Sequence, residues 1–308
     1  MRFTTLLLGV ALFASIAQAD TLYAISGASG HESSLYVLDK TTGAVISTIG
    51  ATGFSHVSGI SFQPGTGVLY GSVGAHAGNG YREQLITIDL TTGVGTVVGE
   101  TGFRLPDLAF ASDGTLYGWA QIPGNTYPVG LDGIVSIDLG TGAATLVGAT
   151  EYYTAVPGFA IDSTDRAWMK TTQFPGGPID QIWSIDLATG LTIPPFDPSG
   201  FGVRNLTDAD TGAFGLVVHN MLAFDENDVL YSGKRSGGGF TLYSIDLGVA
   251  HAGSPNAMAT ALGSNDIGYI SGIAFLADNP VPEPGSVFLV AVALGGVVMF
   301  RRRRRQAS

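Results

Sequence analysis

A segment that returns about every 50 residues, five times over, restricts this chain of 308 residues more than anything else in it. Leu35–Gly43 comes back as Leu85–Gly93, Ile134–Gly142, Ile182–Gly190 and Leu242–Gly248, placing aspartates at 39, 89, 138, 186 and 246. The intervals between them are 50, 49, 48 and 60 residues. A second element, a Gly-Ile/Leu-Ala-Phe strand followed by a turn and Leu-Tyr-Gly, occupies Gly59–Gly71, Asp107–Gly118, Gly158–Lys170 and Met221–Gly233. Its fifth copy is broken across the chain ends, with Gly272-Ile273-Ala274-Phe275 near the C-terminus and Thr21–Ile25 near the N-terminus.

Each period holds four short strands that alternate or run apolar, with Gly, Asp, Asn or Pro at every junction. Nothing between residues 20 and 280 sustains a 3.6-residue period. Repeats of this length and strand content predict propeller blades, so the expected fold is all-β, a five-bladed β-propeller. The broken copy predicts closure by pairing of N- and C-terminal strands, Leu22–Ile25 against Ile270–Leu276, which removes an open sheet edge. The pattern resembles the broad propeller superfamily with YVTN, NHL and quinoprotein-like repeats. That resemblance implies a fold and no activity.

Both chain ends read as routing signals. Arg2, the apolar run Leu6–Ala17 and the Ala17-Gln18-Ala19 cleavage pattern predict a signal peptide over residues 1–19, with the mature chain starting at Asp20. Near the C-terminus, Pro282, Glu283 and Pro284 precede an uncharged run, Val287–Phe300, and then Arg301, Arg302, Arg303, Arg304 and Arg305. Fourteen helical residues rise about 21 Å, less than the roughly 20 residues of a comfortable span. Extension back to Gly285 and snorkelling arginines narrow the gap. The arginines place the C-terminus in the cytoplasm.

The three-part order of rigid signal, apolar segment and basic stop resembles the PEP-CTERM tail. The resemblance implies recognition of Pro282-Glu283-Pro284 by an exosortase-type transpeptidase of Gram-negative bacteria. It also implies transient anchoring in the inner membrane through the C-terminal transmembrane helix, then display at the cell surface or release outside it. A permanent single-span anchor is the alternative. The expected organisation is a signal peptide over 1–19, the propeller over 20–278 and the sorting tail over 279–308, with a membrane segment at about 285–300 and the basic stop at 301–305.

Between Asp20 and Pro282 there are 8 Lys+Arg against 24 Asp+Glu, a net charge of −16. Such a surface repels nucleic acid and anionic lipid headgroups, so no nucleic-acid partner is expected. The chain has no cysteine, which removes disulfides and thiolate metal sites. The repeated Asp-x-x-Thr-Gly is read as a hairpin turn, because Asp bonds backbone N–H groups ahead of it and Gly supplies the positive φ. Set around a rim, these aspartates cannot converge on one ion. Calcium is better served by the acidic loops Asp162–Asp165 and Asp225–Asp228, or by Asp208 and Asp210 in the long insert Pro195–Val218. No cofactor is otherwise expected.

Catalytic patterns are sparse. His31, His56, His76, His219 and His251 are scattered without metal-ligand spacing, and no G-x-S-x-G elbow or phosphate-binding glycine loop is present. Calcium-dependent propeller lactonases need inward Glu, Asn and Asp at the innermost strands, where this chain has Ser58, Pro106-Asp107, Pro157, Asn220 and Ser271. The long connections, Gly27–Ser34, Gly71–Gln84, Gly118–Gly133, Met169–Gln181 and Ser232–Phe240, share one face and differ between blades. Such loops on a rigid ring are where binding resides. They carry Tyr81, Arg82, Trp119 and Tyr127, with Trp168 at one edge, side chains suited to stacking on sugar rings. Packing of Trp119 and Trp168 between blades is the competing expectation. The reading is an exported surface or extracellular-matrix protein, a non-enzymatic binding propeller. Proteins with such tails are associated as a family with exopolysaccharide and biofilm production, so a polysaccharide partner follows from the resemblance. The alternative is a secreted or periplasmic metal-dependent hydrolase of the lactonase kind.

Overall fold

The computed structural model describes residues 20–27, 31–74, 83–121, 132–150, 158–171, 181–193, 204–208, 221–236, 238–247 and 256–277. The chain divides into two units, Met1–Ala277 and Asp278–Ser308, and every described residue lies in the first. The signal segment, the sorting tail and its apolar run therefore lie outside the described residues. Among the described residues no helix is long and apolar enough to cross a membrane.

Strands β1 (Thr21–Ser26), β2 (Glu32–Leu38) and β3 (Val45–Ser55) form blade 1 together with the last strand, β20 (Ile270–Leu276), in the order β20-β1-β2-β3. Blade 2 is β4 (Val57–Phe62), β5 (Leu69–Val73), β6 (Gln84–Ile88) and β7 (Gly95–Glu100). Blade 3 is β8 (Arg104–Phe110), β9 (Leu116–Gln121), β10 (Asp132–Ile137) and β11 (Ala144–Ala149). Blade 4 comprises β12 (Gly158–Ile161), β13 (Ala167–Thr171), β14 (Gln181–Ile185) and β15 (Arg204–Asp208). Blade 5 comprises β16 (Ala223–Phe224), β17 (Leu230–Ser236), β18 (Gly239–Asp246) and β19 (Asn256–Asn265).

The expected closure is present: β1 runs antiparallel to β20, with Leu22 opposite Phe275 and Ile25 opposite Gly272. One departure from five separate sheets appears. The outer strands of blades 4 and 5 pair in parallel, Asn205 with Asn256 through Asp208 with Ala259, so these two blades share an eight-stranded sheet. The 60-residue interval already carried the cause, since β15 lies in the insert that lengthens it.

Burial falls from the axis outward. Strand β5 is buried at every residue because blades cover both its faces, whereas outer strand β7 is exposed or half-exposed throughout. This explains why inner strands read as apolar runs and outer ones do not. The core is correspondingly five clusters, one per seam between blades. At full burial a Leu or Phe side chain contributes about 1.5–3 kcal/mol, so each seam is a substantial adhesive.

The repeated turns do more than reverse the chain. Asp39 Oδ1 accepts from the Thr41 and Thr42 N–H groups at 2.8 and 2.9 Å, and Asp89 and Asp138 repeat the arrangement. The Thr-Gly end of each such turn then presses on a glycine in the outer strand of the preceding blade. A Cβ on Gly50 would lie 2.1 Å from the Thr92 carbonyl oxygen, on Gly99 1.8 Å from Thr141, on Gly148 1.8 Å from Thr189, and on Gly263 2.0 Å from Thr42. A register shift in each of these outer-strand pairings, as between Leu85 and Ile86, sits opposite its glycine. Turn and glycine together lock neighbouring blades.

Candidate functional site

The innermost strands β20, β4, β8, β12 and β16 stand side by side around the axis. Their equivalent positions are Gly272, Gly59, Asp107, Gly158 and Met221. Glycine is demanded where strands crowd: a Cβ on Gly59 would lie 2.7 Å from Asp107 Cα, and one on Gly158 2.9 Å from Leu222 Cγ. Asp107 is the one acid in this layer. Its Oδ1 accepts from the Leu108 N–H at 3.0 Å. Its Oδ2 accepts from the N–H groups of Phe159 at 2.9 Å and Leu222 at 3.3 Å, which belong to blades 4 and 5. Burial pushes the Asp107 carboxyl well above the usual range, against the three N–H donors that pull it down.

Serine hydroxyls stitch the same neck. Ser58 Oγ donates to the Leu105 carbonyl at 2.8 Å and Ser271 Oγ to that of Val57 at 2.6 Å. Toward the tight turns a small cavity of about 150 Å³ is lined by Ile60, Phe62, Leu108, Phe110, Leu222 and their neighbours. Of the lactonase-like positions, Pro157 and Asn220 lie outside the described residues, and Asp107 already serves backbone donors from three blades. Among the described residues no group of three or more His, Cys, Asp or Glu could hold a metal ion.

The acidic loops proposed for calcium are occupied by protein donors. Asp162 accepts from the Thr164 and Arg166 N–H groups and from Trp168 Nε1 at 2.9 Å. Asp165 takes a pair of bonds from Ser112 of blade 3, and Asp228 a pair from Ser163 of blade 4. Both aspartates adopt positive φ, at 60° and 57°, where the equivalent turn of blade 3 has Gly114 at 85°. Their carboxylates work as staples between successive hairpins. The Asp208 side chain and Asp210 lie outside the described residues.

The staples continue to the chain's closing point. Asp20 Oδ2 accepts from the Glu226 N–H at 3.1 Å, while Asp20 Oδ1 meets Lys40 Nζ. Lys40 also reaches Asp225 Oδ2 at 3.2 Å and stands 5.8 Å from the centre of the Phe275 ring. Burial lowers the Lys40 ammonium, and its bonds to Asp20 and Asp225 outweigh that and raise it above its ordinary value. The clasp therefore joins the entry to β1 and strand β20 to blade 5. The repeats did not announce it, since neither Asp20 nor Lys40 recurs. The signal available was a lone lysine in the first Asp-x-x-Thr-Gly, in a chain poor in lysine.

Trp119 and Trp168 are packed between blades. Trp119 is fully buried against Phe159, Met169 and Trp183, with Nε1 donating to Asp132 at 3.3 Å. Trp168 is buried in the next seam with Leu222, Leu230 and Tyr243. Rings covered on both faces cannot stack on a sugar, which corrects the expectation that they form a platform. Tyr81, Arg82 and Tyr127 lie outside the described residues, as do Pro282, Glu283, Pro284 and Arg301–Arg305.

Between blades 5 and 1 a groove of about 640 Å³ opens, lined by Glu32, Tyr36, Asn265, Asp266, Ile267, Tyr269 and their neighbours. Of its lining, His31 and Glu32 belong to the long connection Gly27–Ser34.

Residues 280–305 match the PEP-CTERM protein-sorting motif. The motif implies an exported chain that an exosortase recognises, with membrane-anchored transit on the way to the surface. No curated protein matches the chain. Among solved structures it is similar to TolB from Acinetobacter baumannii, at 15% identity over 83% of this chain and 66% of that one, with a TM-score of 0.49. It is also similar to the periplasmic gluconolactonase PpgL of Pseudomonas aeruginosa, at 14% identity over 85% of this chain and 100% of that one, with a TM-score of 0.46. A putative 6-phosphogluconolactonase from Bacteroides uniformis is 8% identical over 84% of this chain and 100% of that one, with a TM-score of 0.43. Likeness at this level does not extend to activity.

Proposed function

We propose that the protein is a surface or extracellular-matrix binding module, carried out of the cell by its tail and engaging extracellular polysaccharide through the propeller. The match to a protein-sorting motif at residues 280–305 carries the proposal. The signal peptide over residues 1–19 supplies the entry into the export route. Once outside, a ring with a net charge of −16 repels anionic partners and tolerates neutral ones. The commitment of Asp107 to backbone donors favours a scaffold over a hydrolase. Tyr81, Arg82 and Tyr127, on the long connections, supply the binding side chains of the loop face.

Routing is tested by changing Pro282, Glu283 and Pro284 to alanine. Val287–Phe300 with the five arginines remains a stop-transfer anchor, so the variant is expected in the inner-membrane fraction while the native protein reaches the surface or the medium. Equal release of both refutes it.

A further inference from the structure

A third repeated element becomes visible once the blades are superimposed in sequence. Four residues beyond the seam glycines Gly50, Gly99 and Gly263 stand Phe54, Phe103 and Ile267, within Thr52-Gly53-Phe54, Thr101-Gly102-Phe103 and Asn265-Asp266-Ile267. In the first seam Phe54 lies so close over Gly95 that a Cβ there would be 2.8 Å from its ring. In the second, Phe103 packs into the same cluster as Ala144. Each phenyl ring fills the outer end of its seam.

The seam between blades 5 and 1 differs from these two at three places. Ile267 stands where those two have Phe, Val45 where they have Gly95 and Ala144, and Tyr36 where they have Ile86 and Val135, a position that blades 4 and 5 fill with Trp183 and Tyr243. Ile86 and Val135 are fully buried, whereas Tyr36 is half-buried. Beside these residues lies the 640 Å³ groove, a volume in the range of ligand sites. Its walls are held in place: Asn265 Nδ2 donates to the Gly43 carbonyl at 2.8 Å, its Oδ1 accepts from the Ile267 N–H at 2.9 Å, and Glu32 accepts from the Gly53 N–H at 3.0 Å.

We infer that this groove binds a neutral sugar chain. Tyr36 and Tyr269 offer aromatic faces for the apolar side of a pyranose ring, and Glu32 and Asp266 offer carboxylate acceptors for its hydroxyls. Among the described residues no lysine or arginine lines the groove, whose charged side chains are the two acids beside His31, and the acids repel uronates and phosphates. The inference rests on the reading of the propeller as a polysaccharide-binding module and moves the site from the loop face to the seam.

The test uses the full-length protein in detergent, presented to immobilised neutral oligosaccharides, to matched uronic-acid and amino-sugar oligosaccharides, and to polysaccharide shed by the producing cells. Ile267→Phe should push a phenyl ring in among the sugar-facing side chains, leave the melting temperature unchanged or higher, and cut neutral-glycan retention at least tenfold. Tyr36→Ile, which installs the residue of blade 2, should cost about tenfold through the lost ring contact. Tyr36→Phe should restore most of it. Native-like retention by a folded Ile267→Phe variant overturns the inference, as does retention of the amino-sugar probe alone with release by salt. If Tyr81→Ala with Tyr127→Ala abolishes retention and Ile267→Phe does not, the loop face binds and the groove does not. If the native protein holds no neutral glycan at all, both binding readings fall, while the routing result stands separately.

Discussion

Replacing Asp107 tests whether the neck is held by a carboxyl that belongs to one blade and serves three. Alanine there removes the acceptor of the Phe159 and Leu222 N–H groups, at 2.9 and 3.3 Å, in a site with no exposure to speak of. A buried N–H left without a partner costs about 1–3 kcal/mol, so the two cross-blade donors together cost about 2–6 kcal/mol. For a domain of this size each kcal/mol moves the melting temperature about 2–4 °C, and a mid-range loss of about 4 kcal/mol lowers it by about 8–16 °C. Asparagine keeps an oxygen for both donors and should lose far less. It also removes a titration. Because the folded carboxyl is raised above its ordinary 3.8, the folded state holds the proton more tightly than the unfolded chain. Stability from this group is therefore fullest below that value and is lost as pH climbs through the raised one. Thermal melts by circular dichroism from pH 3.5 to 8 should show the native protein losing ground to Asp107→Asn as pH rises. An alanine variant that melts within 1–2 °C of native, or a native–asparagine difference that stays flat with pH, refutes the account of the neck.

Lys40→Met should destabilise the ring by about 3–5 kcal/mol, since it leaves the buried Asp20 and Asp225 carboxylates facing one another. Chemical denaturation checks this. In the native protein the contribution of Lys40 should persist below pH 10.5 and fade only as pH rises through its raised value. Gly148→Ala should be far more damaging than Gly102→Ala, because its Cβ would meet the Thr189 carbonyl at 1.8 Å, whereas Gly102 has open space and only the strain of φ 73°. Paired melts decide it, and equal losses would remove the seam-lock reading. The turn carboxyls of Asp39, Asp89 and Asp138 are held below their ordinary 3.8, chiefly by threonine hydroxyls. Their contribution is present above that value and lost as pH falls through the lowered ones, so Asp89→Asn should flatten the acid limb of the melting curve.

What was legible in the chain was what recurs. Four Asp-x-x-Thr-Gly turns and four complete inner hairpins specified the blade, and the broken copy specified which strands close the ring, because Leu22–Ile25 and Ile270–Leu276 complete each other. Less legible was anything that depends on two blades meeting. Gly50, Gly99 and Gly148 stand 49 residues apart, yet their role is visible only when the Thr-Gly of the next blade lies against them. The aromatic residues misled for the same reason: Trp119 and Trp168 sit at strand positions whose exposure is decided by the neighbouring blade. The parallel pairing of β15 with β19 was equally hidden, since an insert of irregular pattern supplies β15.

In a ring built from copies, each repeated residue answers a packing demand made at every seam, so it carries little information about what the molecule meets. Information resides where a copy departs from the rest without loss of packing. Asp107 departs at a glycine position and is repaid by two cross-blade hydrogen bonds, which makes it structural. Asp165 and Asp228 depart at another glycine position and become staples. Ile267 and Val45 depart from the first two seams, and Tyr36, half-buried where Trp183 and Tyr243 at the same position are buried, lines an opening beside them. Two tyrosines and two acids around one groove are chemistry that packing between blades does not call for. The same two blades, 5 and 1, are joined by Lys40, which meets Asp20 ahead of β1 and reaches Asp225 of blade 5.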